Sequence, residues 1–153
     1  MANTFSQIYL QFVFAVKGRQ SFIAKENREV LNQYLTGLVQ HRKAKMLAVN
    51  NMRDHVHLFV GFNPVIFIPD FVKEIKVESN EFIKQKKWVN GKFAWQEGYG
   101  VFSYSQSHID RVIKYVLNQE AHHAKRSFRE EYTELLNKFQ LVFEDKYLFE
   151  FLD

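Results

Sequence analysis

The chain has 153 residues, of which 46% are hydrophobic and 25% charged, and this composition excludes a disordered, coiled-coil or low-complexity protein. It contains no cysteine, which excludes disulfide bonds, a thiol nucleophile and thiolate metal ligands. The net charge of +4 is compatible with a nucleic-acid partner but does not by itself indicate one.

No segment of the sequence resembles a membrane span or a targeting signal. The longest apolar run, residues 12–16, is far shorter than the roughly 20 residues that cross a bilayer. The first seven residues show neither a charged leader nor an apolar signal core. No linker or internal repeat divides the chain. We therefore expect one domain over residues 1–153, in a cytoplasmic protein without a membrane partner.

Hydrophobic periodicity predicts strands and helices that alternate along the chain. The predicted strands cover residues 4–17, 44–50, 55–62 and 95–105, and the predicted helices cover residues 25–41, 69–86, 107–126 and 127–139. The turn-rich composition of residues 51–54 predicts that the second and third strands form a hairpin. This order predicts an α+β fold, a ferredoxin-like or RRM-like antiparallel sheet with helices packed on one face.

Two capping boxes predict where the last two helices begin. In each, a serine is followed three residues later by an acidic residue: Ser107 by Asp110, and Ser127 by Glu130. We therefore expect one continuous helix from Ser107 to about residue 126, and a second that begins at Ser127.

The third predicted strand carries two histidines on one face. Because strand side chains alternate, Val56, Leu58 and Val60 form an apolar face that packs on the core, while His55 and His57 share the opposite face. Two imidazoles at this spacing can converge on one cation. Histidines on the solvent-facing side of a strand give the same pattern, so a metal site here requires a third ligand.

A polar stripe runs along the flank of the predicted helix over residues 107–126. At 100° per residue, six side chains fall within roughly 80° of arc beside the apolar face. They are His108, Arg111, Tyr115, Gln119, His122 and Arg126. Tyr115 and Gln119 lie one turn apart and are neighbours in space. A solvated helix flank is the commoner explanation of such a stripe. A tyrosine with a pKa near 10 also needs a metal or a base to become a nucleophile.

Three separated motifs in a fixed order resemble a known family. They are Asp54-His55-Val56-His57 before an apolar strand, residues 95–100, and the segment from Tyr115 through Gln119 to His123. The first resembles the HUH motif (histidine, bulky hydrophobic residue, histidine) of single-strand DNA endonucleases. Together they are similar to the single-tyrosine HUH transposases of the insertion-sequence-200-like family, and the resemblance covers nearly the whole chain. Arg53 departs from the family pattern, since many members have proline there, and this puts only the turn conformation in doubt.

The resemblance implies an activity and a set of site residues. His55 and His57 would bind a divalent cation, Mg²⁺ or Mn²⁺, with Gln119 as the third ligand and Tyr115 as the nucleophile. The expected reaction is metal-dependent nicking and rejoining of single-stranded DNA through a 5′-phosphotyrosine intermediate. The expected partners are hairpin-bearing DNA at the ends of an insertion sequence and a second copy of the chain in a homodimer.

Further side chains are expected to contact the DNA. Arg53, Arg111, His122 and Arg126 would steady the strand, and an exposed aromatic residue such as Tyr104 would stack on its bases.

Two other classes of function remain open from the sequence. One is a non-catalytic single-stranded nucleic-acid-binding protein with an RRM-like fold, which would display aromatic residues on an open sheet face. The other is a metal-dependent hydrolase of small phosphodiesters, which would carry a second His-x-Ser/Thr motif. The remaining histidines, at positions 41, 108, 122 and 123, form no such motif.

Overall fold

The sheet of this protein consists of antiparallel strands in the order β2-β3-β1-β4. It is described by a computed structural model that covers residues 3–18 and 22–151. The strands are β1 Tyr9–Ala15, β2 Lys45–Asn51, β3 His55–Gly61 and β4 Gly100–Tyr104. This is the predicted ferredoxin-like order. The predicted domain includes both chain ends, which lie outside the described residues.

The helices follow the predicted order, with two changes near the end of the chain. They are α1 Arg28–His41, α2 Ile68–Lys86, α3 Ile109–Leu117, α4 Gln119–His123 and α5 Phe128–Lys138. Among the described residues, none of these helices combines the length and apolar character needed to cross a membrane.

Both faces of the sheet carry helices. Val56, Leu58 and Val60 are fully buried, or nearly so, in one core cluster with apolar residues of α1 and α2, which is the predicted helical layer. Phe59 on the opposite face belongs to a second cluster with residues of α3, such as Val116. The structure therefore adds a second helical layer, over the face that carries the two histidines.

Gly100 allows α5 to approach this second face closely. It pairs with Val13 of β1, and a Cβ atom at this position would lie 2.8 Å from the Tyr132 hydroxyl oxygen of α5. That separation is too short for any side chain. The glycine thus lets α5 pack directly against the strand, close to the histidines of β3.

The predicted helix over residues 107–126 is interrupted at Asn118. The side-chain amide of Asn50 in β2 donates to the carbonyl oxygens of Val116 and Leu117, at 3.1 and 3.3 Å. These hydrogen bonds satisfy carbonyls at the end of α3, so the helix can end there. Backbone hydrogen bonding resumes at once, because the amide of His122 donates to the carbonyl of Asn118.

Only one of the two predicted capping boxes caps a helix. The Ser127 hydroxyl accepts a hydrogen bond from the backbone amide of Glu130 at 3.2 Å, and α5 begins at the next residue. The prediction at Ser107 is wrong. A 3₁₀ turn over Gln106–His108 precedes α3, and the Ser107 hydroxyl contacts the side chains of Ser105 and His108 instead.

Candidate active site

His55 and His57 project from β3 beneath the second helical layer, and both are fully buried. Asp54 accepts a hydrogen bond from His55 Nδ1 at 2.7 Å, and the side-chain oxygen of Gln11 lies 2.7 Å from His57 Nδ1. These partners hold the rings so that both Nε2 atoms point towards the helices. Histidines that bind metals are commonly oriented in this way by a partner on the other ring nitrogen.

Glu131 of α5 lies between the two imidazoles and the side chains of Tyr115 and Gln119. Its Oε1 atom is 3.2 Å from His57 Nε2, 3.5 Å from His55 Nε2 and 3.0 Å from His123 Nε2. Its Oε2 atom accepts hydrogen bonds from the Tyr115 hydroxyl and from Gln119 Nε2, the second at 2.9 Å. One fully buried carboxylate therefore connects the histidines of the sheet to the polar stripe of α3 and α4.

Tyr115 and Gln119 remain neighbours across the interruption at Asn118. The Tyr115 ring stands edge-on to that of His57, with centroids 5.7 Å apart. Gln119 is fully buried, and its Oε1 atom lies 3.2 Å from His55 Nε2 and 3.0 Å from His123 Nε2. The two helical residues and the two strand histidines thus meet within a single chain.

The burial and charges of the site shift the pKa values of its members in different directions. Burial lowers the pKa of His55, but its hydrogen bonds to Asp54 and Glu131 outweigh burial and raise the pKa to about 9. Burial keeps the pKa of His57 below its ordinary value. Burial opposes ionisation of Glu131, yet the neighbouring histidines hold its pKa well below the usual range. Burial and the Glu131 charge raise the pKa of Tyr115.

The donor atoms of this cluster fit a divalent cation. The ligand atoms of His55, His57 and Glu131 all lie within 4.8 Å of one another. Donors that share a cation at bond lengths near 2.1 Å are roughly 3.0–3.5 Å apart at neighbouring coordination positions. The contacts of Glu131 Oε1 with the imidazoles fall in that range. A neutral His57 that donates from Nδ1 to Gln11 also presents a lone pair to the carboxylate, an arrangement that a cation between them would stabilise.

A cleft of about 590 Å³ opens beside His55. It is bordered by His123 and Phe128, and the Phe128 ring stacks on the His55 ring with centroids 3.9 Å apart. Three arginines also line the cleft: Arg28, Arg53 and Arg126. The candidate site is thus bordered by a basic surface.

The structure brings some of the expected DNA-contacting residues to this place but not all. Arg53 and Arg126 line the cleft, and the ring of His122 lies 5.1 Å from that of Tyr115. Arg111 is exposed on α3 and is not among the cleft residues. The expectation of an exposed stacking platform at Tyr104 is wrong. Its ring is half-buried against Phe59 and Phe139, because the second helical layer covers this face.

Glu131 and His123 belong to the site, although no motif of the sequence predicted a role for either residue. A signal for Glu131 was available, because Phe128, Tyr132 and Leu135 form the apolar stripe of α5 and Glu131 lies on the same side. A carboxylate within an apolar helical stripe is buried only with partners. The sequence pattern does not show which residues are the partners of this carboxylate, because they come from segments distant in the chain.

A family model described as transposase, IS200-like, matches residues 4–119. The matched range includes His55, His57, Tyr115 and Gln119, and it ends before Glu131.

The chain is also similar to individual transposases. It is 27% identical to the ISDra2 transposase TnpA of Deinococcus radiodurans over 120 residues. This matched stretch covers 74% of this chain and 84% of that protein. The crystal structure of a transposase from D. radiodurans R1 gives a TM-score of 0.58 at 27% identity, covering 76% of this chain and 94% of the other. The structure of a REP-associated tyrosine transposase bound to a REP hairpin gives a TM-score of 0.58 at 14% identity. The match covers 76% of this chain and 68% of the other. At that identity the likeness shows the fold alone.

Proposed function

This chain belongs to the IS200-like transposase family, and we propose that it nicks and rejoins single-stranded DNA at the ends of an insertion sequence. The observation that carries this proposal is the buried carboxylate of Glu131. It accepts the Tyr115 hydroxyl on one oxygen and faces the imidazoles of His55 and His57 with the other. A nucleophile and a set of metal-binding donors therefore converge on one group.

Tyr115 is the proposed nucleophile. Its hydroxyl oxygen forms a bond to phosphorus while the bond from phosphorus to the 3′ oxygen breaks, which leaves a 5′-phosphotyrosine. The phenol proton leaves along the hydrogen bond to Glu131, and the 3′ oxygen takes up a proton from solvent to become a hydroxyl. Because the phosphotyrosine retains a phosphodiester linkage, a 3′-hydroxyl can later reverse the step without ATP.

The proposed metal ligands are His55, His57 and Gln119, with Glu131 as an additional oxygen donor. Amide and carboxylate oxygens suit Mg²⁺ or Mn²⁺, which are the ions that the family resemblance implies. When bound, such a cation supplies positive charge that offsets the charge developing on the phosphate and on the 3′ oxygen. Asp54 and Gln11 keep both imidazole Nε2 atoms directed into the site.

The proposed partners are single-stranded DNA with hairpins and a second copy of the chain. The similar REP-associated transposase was solved with a hairpin, which supports a hairpin-bearing substrate. Arg53 and Arg126 in the cleft and His122 beside Tyr115 are the proposed DNA contacts nearest the site. Arg111, on the exposed side of α3, is proposed to contact the strand farther away.

The alternative of a non-catalytic RRM-like binding protein receives no support from the geometry. That function needs an open sheet face with displayed aromatic residues. Helices cover both faces of this sheet, and His55 and His57 are buried beneath one of them.

Substitution of Tyr115 by phenylalanine tests the proposal. In Mg²⁺ or Mn²⁺, the unmodified protein should cleave single-stranded DNA from the flanks of its own genomic element and remain attached to the 5′ end. The adduct is detected on a denaturing gel. Tyr115→Phe removes the attacking oxygen and should abolish cleavage and adduct while DNA binding remains. Tyr147→Phe is the matched control, because its side chain is exposed outside the site. Cleavage that persists in Tyr115→Phe would overturn the nucleophile assignment.

A further inference from the structure

Residues 95–100 carry one of the motifs behind the family resemblance, but the proposed chemistry uses none of their side chains. Gln96 in this segment has a fixed backbone. Its amide donates to the carbonyl oxygen of Ala15 at the end of β1, at 2.8 Å. Its carbonyl oxygen accepts a hydrogen bond from Nζ of Lys76 in α2, also at 2.8 Å. The Gln96 side chain therefore extends from a point that both β1 and α2 hold.

The side-chain amide of Gln96 binds the backbone of Glu150, near the end of the chain. Oε1 of Gln96 accepts from the Glu150 amide, and Nε2 donates to the Glu150 carbonyl, each at 2.7 Å. Opposed residues in an antiparallel sheet exchange the same pair of hydrogen bonds. Nε2 also donates to the carbonyl of Val16 at 2.9 Å, so both of its hydrogens are used. Gln96 thus joins the end of β1 to the backbone of a distant segment.

This distant segment, residues 148–151, is called the tail, and it packs on α5. Phe149 is buried, and its ring centroid lies 4.9 Å from that of Tyr132 and 6.0 Å from that of Phe128. The ring of Phe151 lies 5.5 Å from that of Phe128. Glu150, which Gln96 binds, stands between these two aromatic residues in the chain. The contact with Gln96 therefore fixes the part of the tail that touches α5.

Phe128 connects the tail to the candidate active site. Its ring is parallel to the His55 ring within 3°, with centroids 3.9 Å apart, and α5 also carries Glu131. A continuous series of contacts thus runs from Gln96 through the tail and Phe128 to His55. We propose, on the basis of the proposed function, that Gln96 is a positioning residue. It seats the tail on α5, and the tail holds Phe128 against His55 and Glu131 beside the imidazoles.

The site needs this support because a hydrogen bond alone does not fix an imidazole ring. Asp54 holds His55 at Nδ1, but the ring can still rock about that bond. A second ring packed on its face prevents this motion. Metal-binding donors must be held to within about 0.5 Å of the productive geometry. Loss of the tail contact should therefore be felt at the His55 and Glu131 donors, although Gln96 touches neither.

The variant Gln96→Ala tests this role through its Mn²⁺ affinity, measured by isothermal titration calorimetry. Loss of the side-chain amide releases the tail and loosens Phe128 and Glu131. We expect the affinity to fall about tenfold, the lower end for residues that orient ligands through other groups. Hydrogen exchange of the metal-free proteins locates the cause. Amides of α5 should exchange about tenfold faster in Gln96→Ala than in a control variant of reduced stability, Ser79→Ala.

Two control variants leave the contact between Gln96 and the tail in place. Ser79→Ala removes the hydroxyl that accepts from Trp95 Nε1 at 3.0 Å, a buried hydrogen bond of the same segment on its α2 side. It should lower stability without releasing the tail. Glu150→Ala removes an exposed side chain and keeps the backbone that Gln96 binds. Both controls should bind Mn²⁺ within twofold of the unmodified protein.

A second variant disturbs the tail while Gln96 remains. Phe149→Leu keeps an apolar side chain but loses the ring contacts with Phe128 and Tyr132, and it should weaken Mn²⁺ binding by a smaller factor than Gln96→Ala. Combined with Gln96→Ala it should add less than twofold, because the tail is already released. Full additivity of the two changes would contradict a shared route through the tail.

The remaining outcomes separate the positioning role from the proposed function. Normal Mn²⁺ affinity in Gln96→Ala, or an equal loss in Ser79→Ala, would overturn the positioning role. Absence of Mn²⁺ binding by the unmodified protein would instead overturn the proposed metal site. The seating of the tail would then be decided by hydrogen exchange alone, and unchanged exchange of α5 in Gln96→Ala would refute it.

Discussion

Glu131 shows how one residue connects separate parts of the candidate site. Its two oxygens contact side chains from β3, α3 and α4, and the carboxylate is fully buried. An unpaired charge at this depth would be strongly destabilising, so the surrounding donors are a condition of its burial. Periodicity placed His55 and His57 on one face of a strand, but it could not identify the acid that meets them.

Replacement of Glu131 by glutamine should weaken binding of Mn²⁺. The amide has nearly the same shape but removes the negative charge beside the imidazoles, and we expect a loss of about 100-fold, the upper end for residues that only orient ligands. Isothermal titration calorimetry measures the affinity. Glu134→Gln, which removes the same charge from the exposed side of α5, should bind Mn²⁺ normally. An unchanged affinity in Glu131→Gln would show that Glu131 does not contribute to ion binding and that its role is confined to the hydrogen bond with Tyr115.

The raised pKa of His55 predicts proton release when a cation binds. Asp54 and Glu131 outweigh burial and raise the pKa to about 9, so we expect His55 to be protonated at pH 7 in the metal-free protein. Protonation of His55 stabilises the metal-free fold. This contribution is fully present below about pH 6.5, the ordinary pKa of a histidine in the unfolded chain, and it is lost as the pH rises through about 9. A cation requires the neutral imidazole, so metal affinity should increase over the same interval.

Calorimetry of Mn²⁺ binding at pH 7, in buffers of different ionisation enthalpy, measures this release. We expect about one proton per ion and less in Asp54→Asn, which removes the carboxylate at His55 Nδ1. A binding enthalpy independent of the buffer would contradict the prediction.

At the scale of elements, α5 depends on its cap and α3 depends on a neighbouring strand. Ser127 and Glu130 formed a recognisable capping box, because both partners belong to the same helical turn. The pattern at Ser107 was equivalent, but a 3₁₀ turn precedes the helix there. The interruption at Asn118 coincides with hydrogen bonds from Asn50, which belongs to β2 and is remote in the chain. Local patterns could predict the first feature but not the other two.

The two serines therefore predict different effects on stability. Ser127→Ala removes the oxygen that accepts from the Glu130 amide and should lower the free energy of unfolding by about 1 kcal/mol. Ser107→Ala removes a hydroxyl with only exposed side-chain contacts and should change it by less than about 0.5 kcal/mol. Urea denaturation of the metal-free proteins measures both. A larger loss for Ser107→Ala would contradict the capping assignment.

At the scale of the whole molecule, the second helical layer makes the candidate site. It covers the sheet face that carries His55 and His57, and it brings Tyr115, Gln119 and Glu131 to them. A single chain thus supplies all the candidate residues, although the proposed assembly is a homodimer.

Mixing inactive variants tests whether the sites of a dimer work independently. Because Tyr115 contacts the His57 ring of its own chain, a refolded mixture of His57→Ala and Tyr115→Phe should remain inactive in the cleavage assay. Each mixed dimer would hold no chain with both residues. Recovery of roughly a quarter or more of the activity would show that the tyrosine acts on the partner's histidines.

The amino-acid sequence by itself determined the order of strands and helices, the shared face of His55 and His57, and the one-turn spacing of Tyr115 and Gln119. Each of these follows from the repeat of a single strand or helix, which is set by neighbouring residues. Only the tertiary structure decided that the histidines are buried, that Glu131 lies between them and Tyr115, and that Arg28 joins Arg53 and Arg126 in one cleft. These features are contacts between segments far apart in the chain, and no local repeat encodes which partner a buried charge will meet.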